Sequence, residues 1–141
     1  MFLLDTTVVS ELRKVRSGRA DRNVAAWIGQ VRSASLYLSA IVIHELEVGT
    51  LLAERRDPAQ GALLRSWLDE HVLAAFAERI LPVDTEVARQ SAALHVPDPR
   101  PFRDALIAAT ALVNGMTVVT RNIADFGGTG AVTINPWLQG A

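Results

Sequence analysis

The 141-residue chain has no cysteine, which excludes a disulfide framework, a cysteine-ligated zinc site and a thiol nucleophile. Nothing in it asks for an oxidising compartment, and a cytoplasmic protein is expected. No apolar run approaches the roughly 20 residues that cross a bilayer. The N-terminus also lacks the basic region and long apolar core of a signal peptide, so a soluble, unexported protein with no membrane partner is expected. The formal net charge is only −1, too small to draw nucleic acid or an anionic surface from a distance. Any such contact has to be local. Lysine is almost missing: of 14 cationic side chains only Lys14 is one, which counts against any chemistry that needs a lysine amine beside a later motif.

Half of the residues are hydrophobic, enough for the core of one domain over 1–141 on the usual prior of roughly 100–200 residues per domain. Strand-like runs at 2–4, 36–38, 80–83, 117–119 and 132–134 alternate with helical patterns, the signature of an α/β fold with a parallel sheet. Helices are predicted over 6–14, 23–31, 40–56, 59–76, 85–95 and 101–114. Ser39 suits the N-cap of the third and Pro58 stops it. Pro101 suits the first turn of the last, and Gly115 its C-terminal cap. Gly127, Gly128 and Gly130 read as a turn, and no internal repeat or low-complexity segment is visible.

Four acids stand where chemistry is expected. Asp5 directly follows the apolar run Met1-Phe-Leu-Leu4, with hydroxyls at Thr6, Thr7 and Ser10 nearby. The carboxyl ends of parallel strands are where open α/β sheets form ligand sites. A purely structural Asp5 would cap the next helix. Glu45 has Ile41, Val42, Val48 and Gly49 at helical spacing, a mostly apolar face on which an unpaired carboxylate is expensive, so it should have a cation. Asp104 follows Pro101-Phe-Arg and favours a helix N-terminus, while Ala105, Ala108 and Ala109 leave room for close approach. Asp125 lies in Thr120-Arg-Asn-Ile-Ala-Asp-Phe126.

If these carboxylates converge, they cannot all remain ionised without proton uptake or a bound cation. An oxygen-only donor set suits Mg²⁺ or Mn²⁺ better than zinc, and such a site suits phosphodiester hydrolysis. His44, His71 and His95 sit in ordinary amphipathic patterns and are expected to be structural, and Trp27, Trp67 and Trp137 are expected in the core or at interfaces. Arg13, Lys14, Arg16, Arg19 and Arg22 form the densest run of cations. It reads either as a phosphate-holding patch for RNA or as a solvated surface.

At this point the sequence resembles the PIN-domain ribonucleases, and among them the VapC and FitB-like toxins of bacterial toxin-antitoxin pairs. The resemblance rests on Leu3-Leu-Asp-Thr-Thr-Val-Val-Ser-Glu11, Leu38-Ser-Ala-Ile-Val-Ile-His-Glu-Leu-Glu-Val-Gly49, Arg103-Asp-Ala-Leu-Ile-Ala-Ala-Thr-Ala111 and Val119-Thr-Arg-Asn-Ile-Ala-Asp-Phe126, in that order and over nearly the whole chain. It implies a three-layer fold, a central parallel sheet of about five strands flanked by helices. It implies a metal-dependent endoribonuclease acting on RNA, silenced by a cognate antitoxin and working as a homodimer. Asp5, Glu45 and Asp104 would be the acidic triad that holds Mg²⁺ or Mn²⁺, with Thr7, Thr120 and Asn122 as polar neighbours. The family usually has Asn at Thr7 and often an acid at Asn122, so the fourth position falls to Asn122 or to Asp125. Two other readings stay open on the residues: a haloacid dehalogenase-like phosphatase with Asp5 as nucleophile, which wants a downstream lysine, and a non-catalytic α/β binding module.

Overall fold

A computed structural model describes residues 1–138; the end of the expected 1–141 domain, residues 139–141, lies outside the described residues. Among the described residues the sheet has five strands, all parallel: β1 (Phe2–Leu4), β2 (Leu36–Ser39), β3 (Ile80–Leu81), β4 (Thr117–Val119) and β5 (Thr133–Ile134), in the order β3-β2-β1-β4-β5. Helices flank it, as the alternating pattern requires: a parallel neighbour can be reached only by crossing over the sheet. β1 lies at the centre with β2 and β4 on either side, and Leu3, Leu4, Val118 and Val119 are fully buried, which explains why β1 and β4 read as continuous apolar runs rather than alternating ones. Trp27 packs edge-on against Phe2 with ring centroids 5.3 Å apart, the core role expected of it.

Strand order changes direction at β1. From there the chain builds outward through β2 and β3, then returns to place β4 on the other side. The carboxyl ends of β1 and β4 therefore border the topological switch point, the place where a crevice opens in such sheets.

The helices α1 (Thr6–Leu12), α2 (Arg22–Gln30), α3 (Ala40–Arg56), α4 (Pro58–Ser66), α5 (Leu73–Ala75), α6 (Thr85–Leu94) and α7 (Phe102–Asn114) follow the expected order. Caps explain most boundaries: Asp5, Asp21, Ser39, Asp57 and Asp84 each accept from backbone N–H groups of the helix they precede. Gly115 closes α7 in the left-handed region at φ 64°. Three expectations are corrected. The first helix stops at Leu12, because Glu11 turns its carboxylate to Lys14 and the Asp21 backbone N–H and so folds the chain back. β3 ends before Pro82, which has no N–H to give a ladder. The helix expected over 59–76 is divided by a π-helical stretch, Trp67–Val72, whose wider turn buries both Leu68 and Val72.

α3 and α4 approach each other closely at Gly61, where an added Cβ would sit 2.3 Å from the Glu54 Cα. Arg65 of α4 spans the same contact, donating to Glu47 at 2.5 Å and to Glu54 at 3.1 Å. Gly61→Ala is therefore expected to cost about 2 kcal/mol or more of stability, since backbone has to move to admit the methyl. Gly49→Ala, which meets nothing within 4 Å, should gain roughly 0.5–1 kcal/mol from helix propensity. Urea denaturation of both variants checks the contrast.

Candidate active site

The four acids come from four different elements and meet at the switch point. Asp5 follows β1, Glu45 lies in the second turn of α3, Asp104 in the first turn of α7, and Asp125 in the 3₁₀ turn Ile123–Phe126 after β4. Asp5 and Asp104 are buried, at 8% and 9% exposure. Asp5 is held by a hydroxyl and by its own helix: Thr120 Oγ1 donates to Oδ2 at 2.7 Å and the Thr6 N–H to Oδ1 at 2.7 Å. The capping role and a site role are thus compatible. Thr7 Oγ1 reaches Oδ2 only at 3.4 Å, a weak contact. Thr120 is fully buried and also accepts from the Asn122 N–H at 3.0 Å, so the start of the 3₁₀ turn is anchored to the residue that holds Asp5.

Glu45 has the cation its apolar face demanded. Arg103 Nη1 donates to Oε2 at 2.6 Å, and Thr6 Oγ1 donates to Oε1 at 2.6 Å. Arg103 Nε also stands 4.0 Å from Asp104 Oδ1, so one guanidinium touches two of the acids. Arg103 and the clamping role of Thr6 were missed in the sequence. The signal for Arg103 was its place directly before Asp104, together with the unpaired charge of Glu45.

Burial pushes the Asp5 carboxyl above its ordinary value, against the hydrogen bond from Thr120, and the charge of Glu45 pushes it further. Burial also raises Asp104, followed by the charges of Asp125 and Asp5, while Arg103 pulls the other way. Asp125 is exposed, yet its charge acts on Asp104 more strongly than that of Asp5 does. Asn122 is exposed too and joins the site through its backbone N–H, with its side chain in no hydrogen bond among the described residues. Among those residues, no three Asp, Glu or His side chains are gathered tightly enough to enclose a metal ion as they stand. The oxygen donors suit a hard cation, but Arg103 lies between Glu45 and Asp104.

The basic run sits apart from this cluster. Arg13, Lys14, Ser17 and Arg19 line a cleft of about 580 Å³ with Gln60, Leu63 and Trp67, and Arg13 lies over the Trp67 ring at 5.9 Å. Arg16 lines an adjoining cleft with Arg13 and Trp67. Lys14 pairs with Glu11 at 3.2 Å, so the one lysine is engaged at the opposite end of α1 from Asp5, where a dehalogenase-type phosphate clamp would need it. No helix among the described residues is long and apolar enough to cross a membrane.

An acid whose folded-state pKa stands above its unfolded value costs stability once ionised; the cost is absent below the unfolded pKa and complete above the folded one. The metal-free protein should therefore lose stability as pH rises through that window. Asp104→Asn is expected to raise its melting temperature by a few degrees at neutral pH, with the gain shrinking as pH falls toward the ordinary value of 3.8. Thermal melts across pH, with chelator present, check the sign.

The chain is similar to known proteins over most of its length. Residues 2–126 match the PIN domain family model. The chain is 38% identical over 142 residues to the VapC ribonuclease Y4jK of Sinorhizobium fredii, covering 97% of this chain and 98% of that protein. It is 34% identical to Toxin FitB of Neisseria gonorrhoeae, covering 97% and 99%. A structure of FitAB bound to an IR36 DNA fragment superposes with a TM-score of 0.88 at 32% identity, covering 100% of this chain and 99% of that one. A sheet in the order β3-β2-β1-β4-β5 with acids gathered at its switch point, and a family match spanning the elements that carry them, lead to one conclusion: this chain belongs to the PIN domain family.

Proposed function

We propose that the protein is a Mg²⁺- or Mn²⁺-dependent endoribonuclease, the toxin of a toxin-antitoxin pair. The observation that carries this reading is the meeting of four carboxylates at the carboxyl end of the sheet, two of them buried: burial and the charge of Glu45 push Asp5 toward protonation, and burial and the charges of Asp125 and Asp5 push Asp104. Such a cluster is stabilised by a divalent cation. The ribonuclease and toxin names of its relatives supply the substrate class and the setting.

In this reading Asp5 and Asp104 are the principal metal ligands, with Glu45 completing the triad and Asp125 acting at its rim. Bound metal would lower the pKa of an attacking water and offset charge on the leaving oxygen of the phosphodiester. The protein supplies position. Thr120 and the Thr6 N–H fix both oxygens of Asp5, and Thr6 Oγ1 aims Glu45. Arg13, Lys14 and Arg16 hold the RNA backbone some distance from the scissile bond, since the seven-residue α1 that separates them from Asp5 spans roughly 10 Å. The partners are the RNA, a cognate antitoxin and a second copy of this chain in a homodimer. The exposed Val48, Leu51 and Leu52 of α3 provide apolar surface close to Glu45 for a partner chain.

Mn²⁺ is expected to raise the melting temperature of the wild type by preferential binding to the folded state, and Asp5→Asn or Asp104→Asn to remove most of that shift. An undiminished shift in both variants overturns the ligand assignment. Glu45→Gln should keep the fold and lose RNA cleavage. Asp125→Ala should weaken Mn²⁺ binding more than Asn122→Ala, and the reverse order would give the fourth position to Asn122. Replacing Arg13, Arg16 and Arg19 by Ser should flatten the salt dependence of RNA binding by roughly 0.7 log units per lost phosphate contact, leaving metal affinity unchanged.

A further inference from the structure

We propose that Arg103 works in two positions: in the metal-free protein it is the counter-cation of Glu45 and Asp104, and when a divalent cation takes those carboxylates it turns outward to hold a phosphate oxygen of the RNA. This rests on the nuclease reading above and assigns a substrate contact to a residue outside the acidic set.

Three observations carry it. First, both oxygens of Glu45 are engaged, one by Thr6 Oγ1 at 2.6 Å and the other by Arg103 Nη1 at 2.6 Å, while Arg103 Nε stands 4.0 Å from Asp104. A cation joining Glu45 to Asp104 therefore competes with the guanidinium for Glu45 Oε2 and meets its charge beside Asp104. Second, the side chains differ sharply in exposure: Arg103 is 63% exposed, against 14% for Glu45 and 12% for Asp104. The cation is the exposed member of the group and the acids the buried ones, so the guanidinium can leave without uncovering core. Third, the site carries a surplus of acids over the cations paired with them among the described residues, and the charges of Glu45, Asp104 and Asp5 all act on Arg103. An approaching phosphodiester is repelled by such a surplus. A guanidinium retained there offsets that repulsion, and its planar fork fits a phosphate better than an ammonium does.

The test uses wild type, Arg103→Ala and Arg103→Lys, with melting temperatures recorded to confirm folding. Calorimetric titration with Mn²⁺ in the absence of RNA should give roughly two- to fivefold tighter binding for Arg103→Ala, the scale of a partly exposed ion pair removed from competition. Binding of a fluorescein-labelled single-stranded RNA of mixed sequence, with Ca²⁺ replacing Mn²⁺ to suppress cleavage, should weaken several-fold. Its salt slope should fall by about 0.7, one phosphate contact. Arg103→Lys should keep the salt slope, since the charge remains, but only part of the RNA affinity, since the fork is lost. Metal affinity that is unchanged or weaker in Arg103→Ala, or RNA binding that does not move, overturns the two-position role while leaving the nuclease standing. A wild type that neither binds Mn²⁺ nor cleaves RNA removes both.

Discussion

Asp5 and Asp104 cannot be dry, ionised and close to other acids without something positive between them, and much of the local structure answers that constraint. Thr120 is fully buried to give Asp5 a hydroxyl. α7 begins at the crevice so that Asp104 stands in its first turn, where the unpaired N–H groups favour negative charge. Arg103 lies across Glu45 and Asp104. A stable fold alone would be served better by neutral side chains here. That the cluster exists at the one place where a parallel sheet opens a crevice is the strongest physical argument for a bound cation and an anionic substrate.

Much of this was legible in the sequence, for a physical reason. Strands buried on both faces read as short apolar runs, so β1, β2 and β4 could be located closely, and Asp5 could be seen to follow one of them. Capping residues such as Ser39, and Gly115 at a helix end, mark boundaries through local hydrogen bonding that the chain carries with it. Strand order was not legible, because it is set by how helices cross the sheet and not by any local pattern. The convergence of Asp5 with Asp104 therefore had to wait for the structure.

What stayed hidden depended on distant contacts. Glu45 was seen to need a cation, but Arg103 lies 58 residues away along the chain. The π-helical stretch at Trp67–Val72 departs from a helical pattern that looked continuous, because packing of Leu68 and Val72 sets the local turn. The basic run was visible as composition, whereas its pairing with Trp67 across a cleft was not. In the proposed nuclease reading, its separation from the acids divides the labour: one surface grips the RNA chain and another cuts it.

In the proposed reading a metal is held by Asp5, directly after β1, and by Asp104 of α7. Diffraction at the manganese absorption edge from crystals soaked in Mn²⁺ tests it directly. An anomalous peak is expected within roughly 2.0–2.3 Å of a carboxylate oxygen of Asp5 and of Asp104, with Arg103 withdrawn from Glu45. A crevice with no peak at saturating Mn²⁺ and Arg103 still bridging the acids would contradict it.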